Sequence, residues 1–144
     1  MKDARIAVVT GSNRGIGHEI ARQLVGHGMR VIATARDATA GAKTAADIGA
    51  EFECLDVANS TSIDEFVARR ASEGLDIFVA NAGIALDGFN AEVARKTIDV
   101  NFYGAQRIVD KLLPSFRPDA RIVMVSSGMG ELSCVGPALR EQFA

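Results

Sequence analysis

Apolar residues recur along the chain in two alternating patterns. Short runs rich in β-branched side chains, "RIAVVT" (5–10), "RVIATA" (30–35), "AEFECLDV" (50–57), "LDIFVANAG" (75–83) and "ARIVMVSS" (120–127), read as strands. Between them apolar positions fall at helical spacing. Ile16, Ile20, Leu24 and Val25 mark a helix over 15–28 that stops at Gly28. Residues 37–49 predict a weaker, Ala-rich helix with Asp37 as N-cap and Gly49 as its stop. Residues 60–74 predict a helix opened by a Ser/Thr-x-x-Asp/Glu cap. The helical period returns over 91–116 as two helices broken near Val100 and Asn101, ended by Pro114 and Pro118. Residues 128–144, with Gly128, Gly130, Gly136 and Pro137, read as loop plus one helical turn at "ALREQF".

Strands alternating with helices imply parallel strands joined by crossovers. The strands are apolar along their length, as strands covered on both faces are. The expectation is an α/β fold: a doubly wound parallel sheet in the order 3-2-1-4-5, incomplete on its C-terminal side because such a sheet normally continues. A single domain over 1–144 follows, as the N-terminal part of a longer domain.

The 144 residues are 48% hydrophobic and 24% charged, with a net charge of −2. No basic run points to nucleic acid, and no membrane-length apolar run is present. Lys2 and Arg5 precede an apolar stretch that meets Gly11 too soon for a signal-peptide core. These features predict a cytoplasmic protein. Cys54 and Cys134 lack the spacing of a metal site, and Cys54, in an apolar run, is expected as a reduced, buried thiol. No metal is expected. His18 and His27, both in the first helix, are expected at the surface.

The first strand runs into "TGSNRGIG": Thr10, Gly11, Ser12, Asn13, Arg14, Gly15, Ile16 and Gly17. Glycines at a strand-to-helix turn permit tight turning and close backbone approach, and the helix N-terminus offers N–H groups to a pyrophosphate. A glycine-rich turn without a ligand is the plainer alternative. The spacing T-G-x-x-x-G-x-G, with four further motifs in order, resembles the short-chain dehydrogenase/reductase family and its Rossmann-type sheet. The resemblance implies that Asp56 and Val57, in "LDV", meet the adenine. Asn81, Ala82 and Gly83 match the family's turn after the fourth strand; Ala80 stands where the family more often has an asparagine. Asn101 matches its structural and proton-relay asparagine, and Ser127 its catalytic serine. "NRGIG", "TARD" and "VSSGMGELS" resemble the carbonyl-reductase branch most, which implies NADPH and a small-molecule carbonyl substrate.

About twenty residues past the glycines the count lands near Asp37, which favours NAD. NADP(H) is preferred. Ala35 ends the strand uncharged, Asp37 serves better as a helix cap, and Arg36 and Arg14 can meet a 2′-phosphate together.

Ser127 lacks a G-x-S-x-G elbow, so it is no hydrolase nucleophile. In the resembling family a tyrosine, helped by a lysine four residues on, gives the proton. Here the one tyrosine is Tyr103, before the serines. Arg107, four residues past it, is rejected as a substitute because Tyr103 and Asn101 point to opposite sides of a helix. Two readings follow. One is the cofactor-binding half of an NADP(H)-dependent carbonyl-reducing oxidoreductase; the other is a non-catalytic nucleotide-binding or interaction module. A flavodoxin-like domain is disfavoured, since Thr10 and Gly11 stand where acidic residues belong. The strand at 120–127, at the sheet edge without an internal blocking charge, predicts self-association.

Overall fold

The computed structural model describes residues 4–143; Lys2 and Ala144 lie outside them. Five parallel strands, β1 (Ile6–Thr10), β2 (Arg30–Ala35), β3 (Glu51–Cys54), β4 (Leu75–Ala80) and β5 (Phe116–Met124), form one sheet in the order β3-β2-β1-β4-β5. Helices α1 (Gly15–Gly26), α2 (Ala38–Ile48), α3 (Ser60–Arg70), α4 (Ala91–Ile98), α5 (Ala105–Leu112) and α6 (Pro137–Phe143) follow in chain order. The predicted doubly wound, Rossmann-type architecture is the observed one.

The two-period pattern explains both layers. Along β1, Ile6 and Val8 point to one face and Ala7 and Val9 to the other, and all four are buried. Ile6 and Val8 join Ile63 and Phe66 of α3 and Ile108 and Leu112 of α5. Ala7 and Val9 join Ala21 of α1, with Ile20, Leu24 and Val25 packed around them. Phe66 is fully buried, so Phe66→Ala should cost about 3–5 kcal/mol. No helix among the described residues is long and apolar enough to cross a membrane.

Several local expectations change. The cap of α3 is Asn59, whose Oδ1 accepts from Ser62 N–H at 3.1 Å, rather than a Ser/Thr box. The Ser62 hydroxyl instead accepts from Asp56 N–H at 3.0 Å. Cys54 is exposed, not buried, because β3 is an edge strand. His27 is exposed as expected, but His18 is half-buried and its Nδ1 is enclosed without a partner among the described residues. The 91–116 region is broken near Val100 and Asn101, as expected, but by a π-helical segment, Asp99–Gly104. β5 starts at Phe116 and ends at Met124, so Ser126 and Ser127 follow it rather than close it. The reason is an irregular ladder: Leu75 pairs Phe116, then Ile77 pairs Arg121 after a register shift that accommodates Pro118.

Candidate dinucleotide site

β1 ends at Thr10, and the loop after it is joined to the turn after β4. Thr10 Oγ1 accepts from the N–H groups of Asn81 and Ala82, each at 3.0 Å, and donates to Val79 O at 3.3 Å. Asn81 Nδ2 donates to the carbonyls of Thr10 (2.9 Å) and Gly11 (3.1 Å). Gly11 has φ +66°, and a Cβ there would lie 2.8 Å from Ala82 Cα, so only glycine fits. Gly17 sits against the Asn81 amide, and a Cβ would come within 2.6 Å of Gly11 O. Ser12 is buried; its N–H and hydroxyl both donate to Thr34 O, at 2.9 and 3.2 Å. Thr10, Ser12 and Gly17 therefore shape the loop from within, while other residues of the motif face the open side.

That side is a groove of about 640 Å³ at the C-terminal ends of β1–β4. Gly11, Asn13 and Arg14 contribute after β1, residues 35–37 after β2, residues 55–58 after β3 and residues 81–86 after β4; Val100 completes it. The groove straddles the point where strand order reverses between β1 and β4, where open α/β sheets hold ligands. Asp56, Val57, Asn81, Ala82, Gly83, Arg14 and Arg36 come together here. Gly15 and Ile16 lie in the first turn of α1 beside it, with Ile16 exposed. Ile84, Leu86 and Val100 also line it; Ile84 and Leu86 lie in the loop after β4 with no motif of their own, and the sequence marks Val100 only as a helix break.

Helix caps separate α1 from its neighbours. α2, α3 and α4 are capped by the side chains of Asp37, Asn59 and Asn90. At α1 the N-cap residue is Arg14, which makes no side-chain cap hydrogen bond. The first-turn N–H groups of α1, at the positive end of the helix dipole, lie beside the groove without a capping side chain among the described residues. Arg14 and Arg36 are exposed on the groove and neither forms an ion pair with a described residue. Asp37 Oδ1 accepts from Ala40 N–H at 2.9 Å, the cap role read from the sequence. Asp56 Oδ1 closes a turn to Ala58 N–H at 3.0 Å.

Asn101 sits in the π-helical segment, a rare geometry that often marks functional positions. Its Nδ2 donates to Ile84 O at 2.9 Å and its Oδ1 accepts from Ile84 N–H at 2.8 Å, which fixes the turn after β4. Ser127 is exposed in the loop after β5, where its carbonyl accepts from Gly130 N–H at 2.8 Å. Tyr103 stacks edge-on against Phe102 at 5.1 Å and borders a separate hollow with Arg95, Lys96, Ile98 and Asp99. Arg107 turns to Asp99, at 2.8 Å, and not to Tyr103.

The short chain dehydrogenase family profile matches residues 5–138. The (+)-neomenthol dehydrogenase of Arabidopsis thaliana is 36% identical over 167 residues, covering 91% of this chain and 56% of its own. Carbonyl reductase (NADPH) 1 of Homo sapiens is 37% identical over 155 residues, covering 96% and 55%. The chain thus spans little more than half the length of these relatives. Among solved structures, the RhlG/NADP active-site complex of Pseudomonas aeruginosa superposes with a TM-score of 0.77 at 32% identity, over 88% of this chain and 58% of that one. The chain belongs to the short chain dehydrogenase family.

Proposed function

We propose that residues 1–144 are the dinucleotide-binding part of a cytoplasmic NADP(H)-dependent oxidoreductase that reduces a small-molecule carbonyl, a ketone, aldehyde or quinone. The observation that carries the cofactor preference is the placing of Arg14 and Arg36 on one groove without carboxylate partners among the described residues, while Asp37 is engaged as a cap. An unpaired arginine pair suits a 2′-phosphate; each charge-assisted hydrogen bond contributes roughly 1.5–3 kcal/mol. NADPH in the name of the human relative and NADP in the Pseudomonas complex support the same choice.

The residues present fit a dinucleotide. Gly11 lets the loop close against Ala82, and the α1 N-terminus, whose N-cap residue Arg14 makes no side-chain cap hydrogen bond, offers N–H groups to a pyrophosphate. Asp56 and Val57 would meet the adenine. Bound there, the cofactor supplies the hydride. Asn101 holds the turn at residues 81–86 through both Ile84 bonds, and the Ser127 hydroxyl would hold the substrate carbonyl. No Tyr-x-x-x-Lys occurs in the 144 residues, and Tyr103 lies away from the groove. A polypeptide of these residues should therefore bind NADPH yet turn over slowly, since loss of general acid catalysis costs about 10²–10⁴-fold. The same place of Tyr103 favours a second reading, a nucleotide-binding module without chemistry.

Fluorescence titration with NADPH and NADH is the test. NADPH should bind more tightly, and Arg36→Ala should weaken NADPH about tenfold while leaving NADH unchanged. Equal affinities would return the choice to Asp37 and NAD. Quinone-dependent loss of NADPH absorbance, compared with the same chain extended to the full length of its relatives, separates enzyme from module.

A further inference from the structure

We propose that Arg107 is a positioning residue of the groove, setting the separation of two of its walls; the proposal rests on the dinucleotide reading above. One wall is the turn at residues 55–58. The other includes Val100, in the π-helical segment. Arg107, on α5, reaches both from behind. Its Nη2 donates to Val57 O at 3.3 Å, its Nη1 to Asp99 Oδ1 at 2.8 Å, and its Nη2 also to Asp99 O at 3.2 Å. Asp99 opens the π-helical segment and directly precedes Val100. One rigid guanidinium fork therefore ties the two walls together, a geometry that a lysine cannot reproduce.

Gly104 converges on the same carbonyl. A Cβ there would lie 2.9 Å from Val57 O and 3.0 Å from Val57 Cγ2, so the segment can approach the turn only because this side chain is absent. The Arg107 Nε–H is buried without an acceptor among the described residues. A buried donor left unpaired is a net cost, so the contacts of Nη1 and Nη2 are what place this side chain. The linkage runs further. Asn101, two residues beyond Asp99, clamps Ile84 on the third wall. Movement of Asp99 would reach the adenine turn through Arg107 and the turn after β4 through Asn101.

The test uses Arg107→Met, which keeps an unbranched stem without donors, and Arg107→Lys, which keeps the charge without the fork. Binding of 2′,5′-ADP and NADPH is titrated, and backbone amide exchange is followed without ligand. Arg107→Met should weaken both ligands about tenfold and Arg107→Lys about threefold, the loss expected from one charge-assisted hydrogen bond, whole or partial. Faster exchange should be confined to residues 57–59 and 99–104 and to Ile84, whose N–H Asn101 holds. Unchanged affinity in both variants overturns the proposal. So does exchange that rises throughout β1 and β2, which marks general destabilisation. If Arg107→Met does not fold, the Arg107→Lys comparison decides by the same criteria. If the unmodified chain binds no dinucleotide, the functional reading fails instead, and absence of the local exchange change rejects the role of Arg107.

Discussion

Among the described residues the sheet has two edges, and they are finished in opposite ways. β3 is four residues long and carries Glu51 and Glu53. Arg30 holds Glu51 through its guanidinium, with Nη2–Oε2 at 2.9 Å. Arg70 binds Glu53 at 2.6 Å and Glu73 at 2.9 Å, and Arg69 binds Glu53 as well. Three arginines of β2 and α3 thus close over the strand with the acids they pair. β5 is nine residues long, and Ile122, Val123, Met124 and Val125 are 41%, 46%, 53% and 40% exposed. Neighbouring residues point to opposite faces, so both faces of β5 are bare over this stretch. An edge is protected by brevity and charge; β3 has both, whereas β5 is long and its charged residues, Arg117, Asp119 and Arg121, all precede the bare stretch. Within one sheet, edge protection is a property of each strand's own surroundings.

The largest change in assembly should come from giving β5 the character of β3. We propose that the 144-residue chain self-associates through this edge, the 120–127 surface expected from sequence. Val123→Lys places a charge in the middle of the bare stretch. Light scattering should show the unmodified chain above monomer mass, and the variant should shift toward monomer by about tenfold or more in dissociation constant. An unmodified chain that is monodisperse at monomer mass removes the idea.

Which features could be read in advance follows from the range of the contacts that fix them. The β1 run was legible because burial on both faces leaves an unbroken apolar stretch. Asp37 as a cap was legible because its partner, Ala40, is three residues away. The glycine loop was legible because its glycines sit at one strand-to-helix turn, where Gly11 takes a positive φ. Cys54 was misjudged because the apolar run around it does not reveal that β3 is an edge. The start of β5 was missed because its ladder slips between Leu75 and Ile77, around Pro118, in a way that no period encodes. The tie from Arg107 to Val57 spans fifty positions and had no local signal. The hydroxyls of Thr10 and Ser12, two members of the glycine-loop motif, meet carbonyls and N–H groups inside the fold, a direction that the motif does not encode.

The second test strips the protected edge. Glu53 is buried, and the Arg70 side chain is only 14% exposed. Arg70→Ala would leave a buried carboxylate with Arg69 as its remaining partner. Removing one partner of a buried pair costs about 3–5 kcal/mol, and retention of Arg69 places the expectation near the lower figure. Urea unfolding of the two chains measures it. A midpoint unchanged by Arg70→Ala would mean that β3 is protected by its length alone.

The smallest effect should appear at Glu51, and its sign with pH is fixed. The hydrogen bond from Arg30 holds the Glu51 carboxyl below its ordinary value of 4.5, against a burial effect in the other direction. A carboxyl with a depressed folded pKa stabilises the fold above its unfolded value and ceases to do so as pH falls through the folded one. Glu51 is 43% exposed at the side chain, so solvent screens the pair and its contribution belongs with surface ion pairs, about 0–1 kcal/mol. Glu51→Gln should lower stability slightly at neutral pH. The gap between the two chains should begin to close near pH 4.5 and vanish below the folded pKa. At roughly 1 M salt, where the Debye length is about 3 Å, the gap should shrink at neutral pH as well. Melting curves from pH 7 to 3 at two salt concentrations check both trends. A gap that persists unchanged in acid would show that Glu51 supports the edge by packing of its stem. The contrast between the two edges would then rest on the Glu53 cluster rather than on charge along the whole of β3.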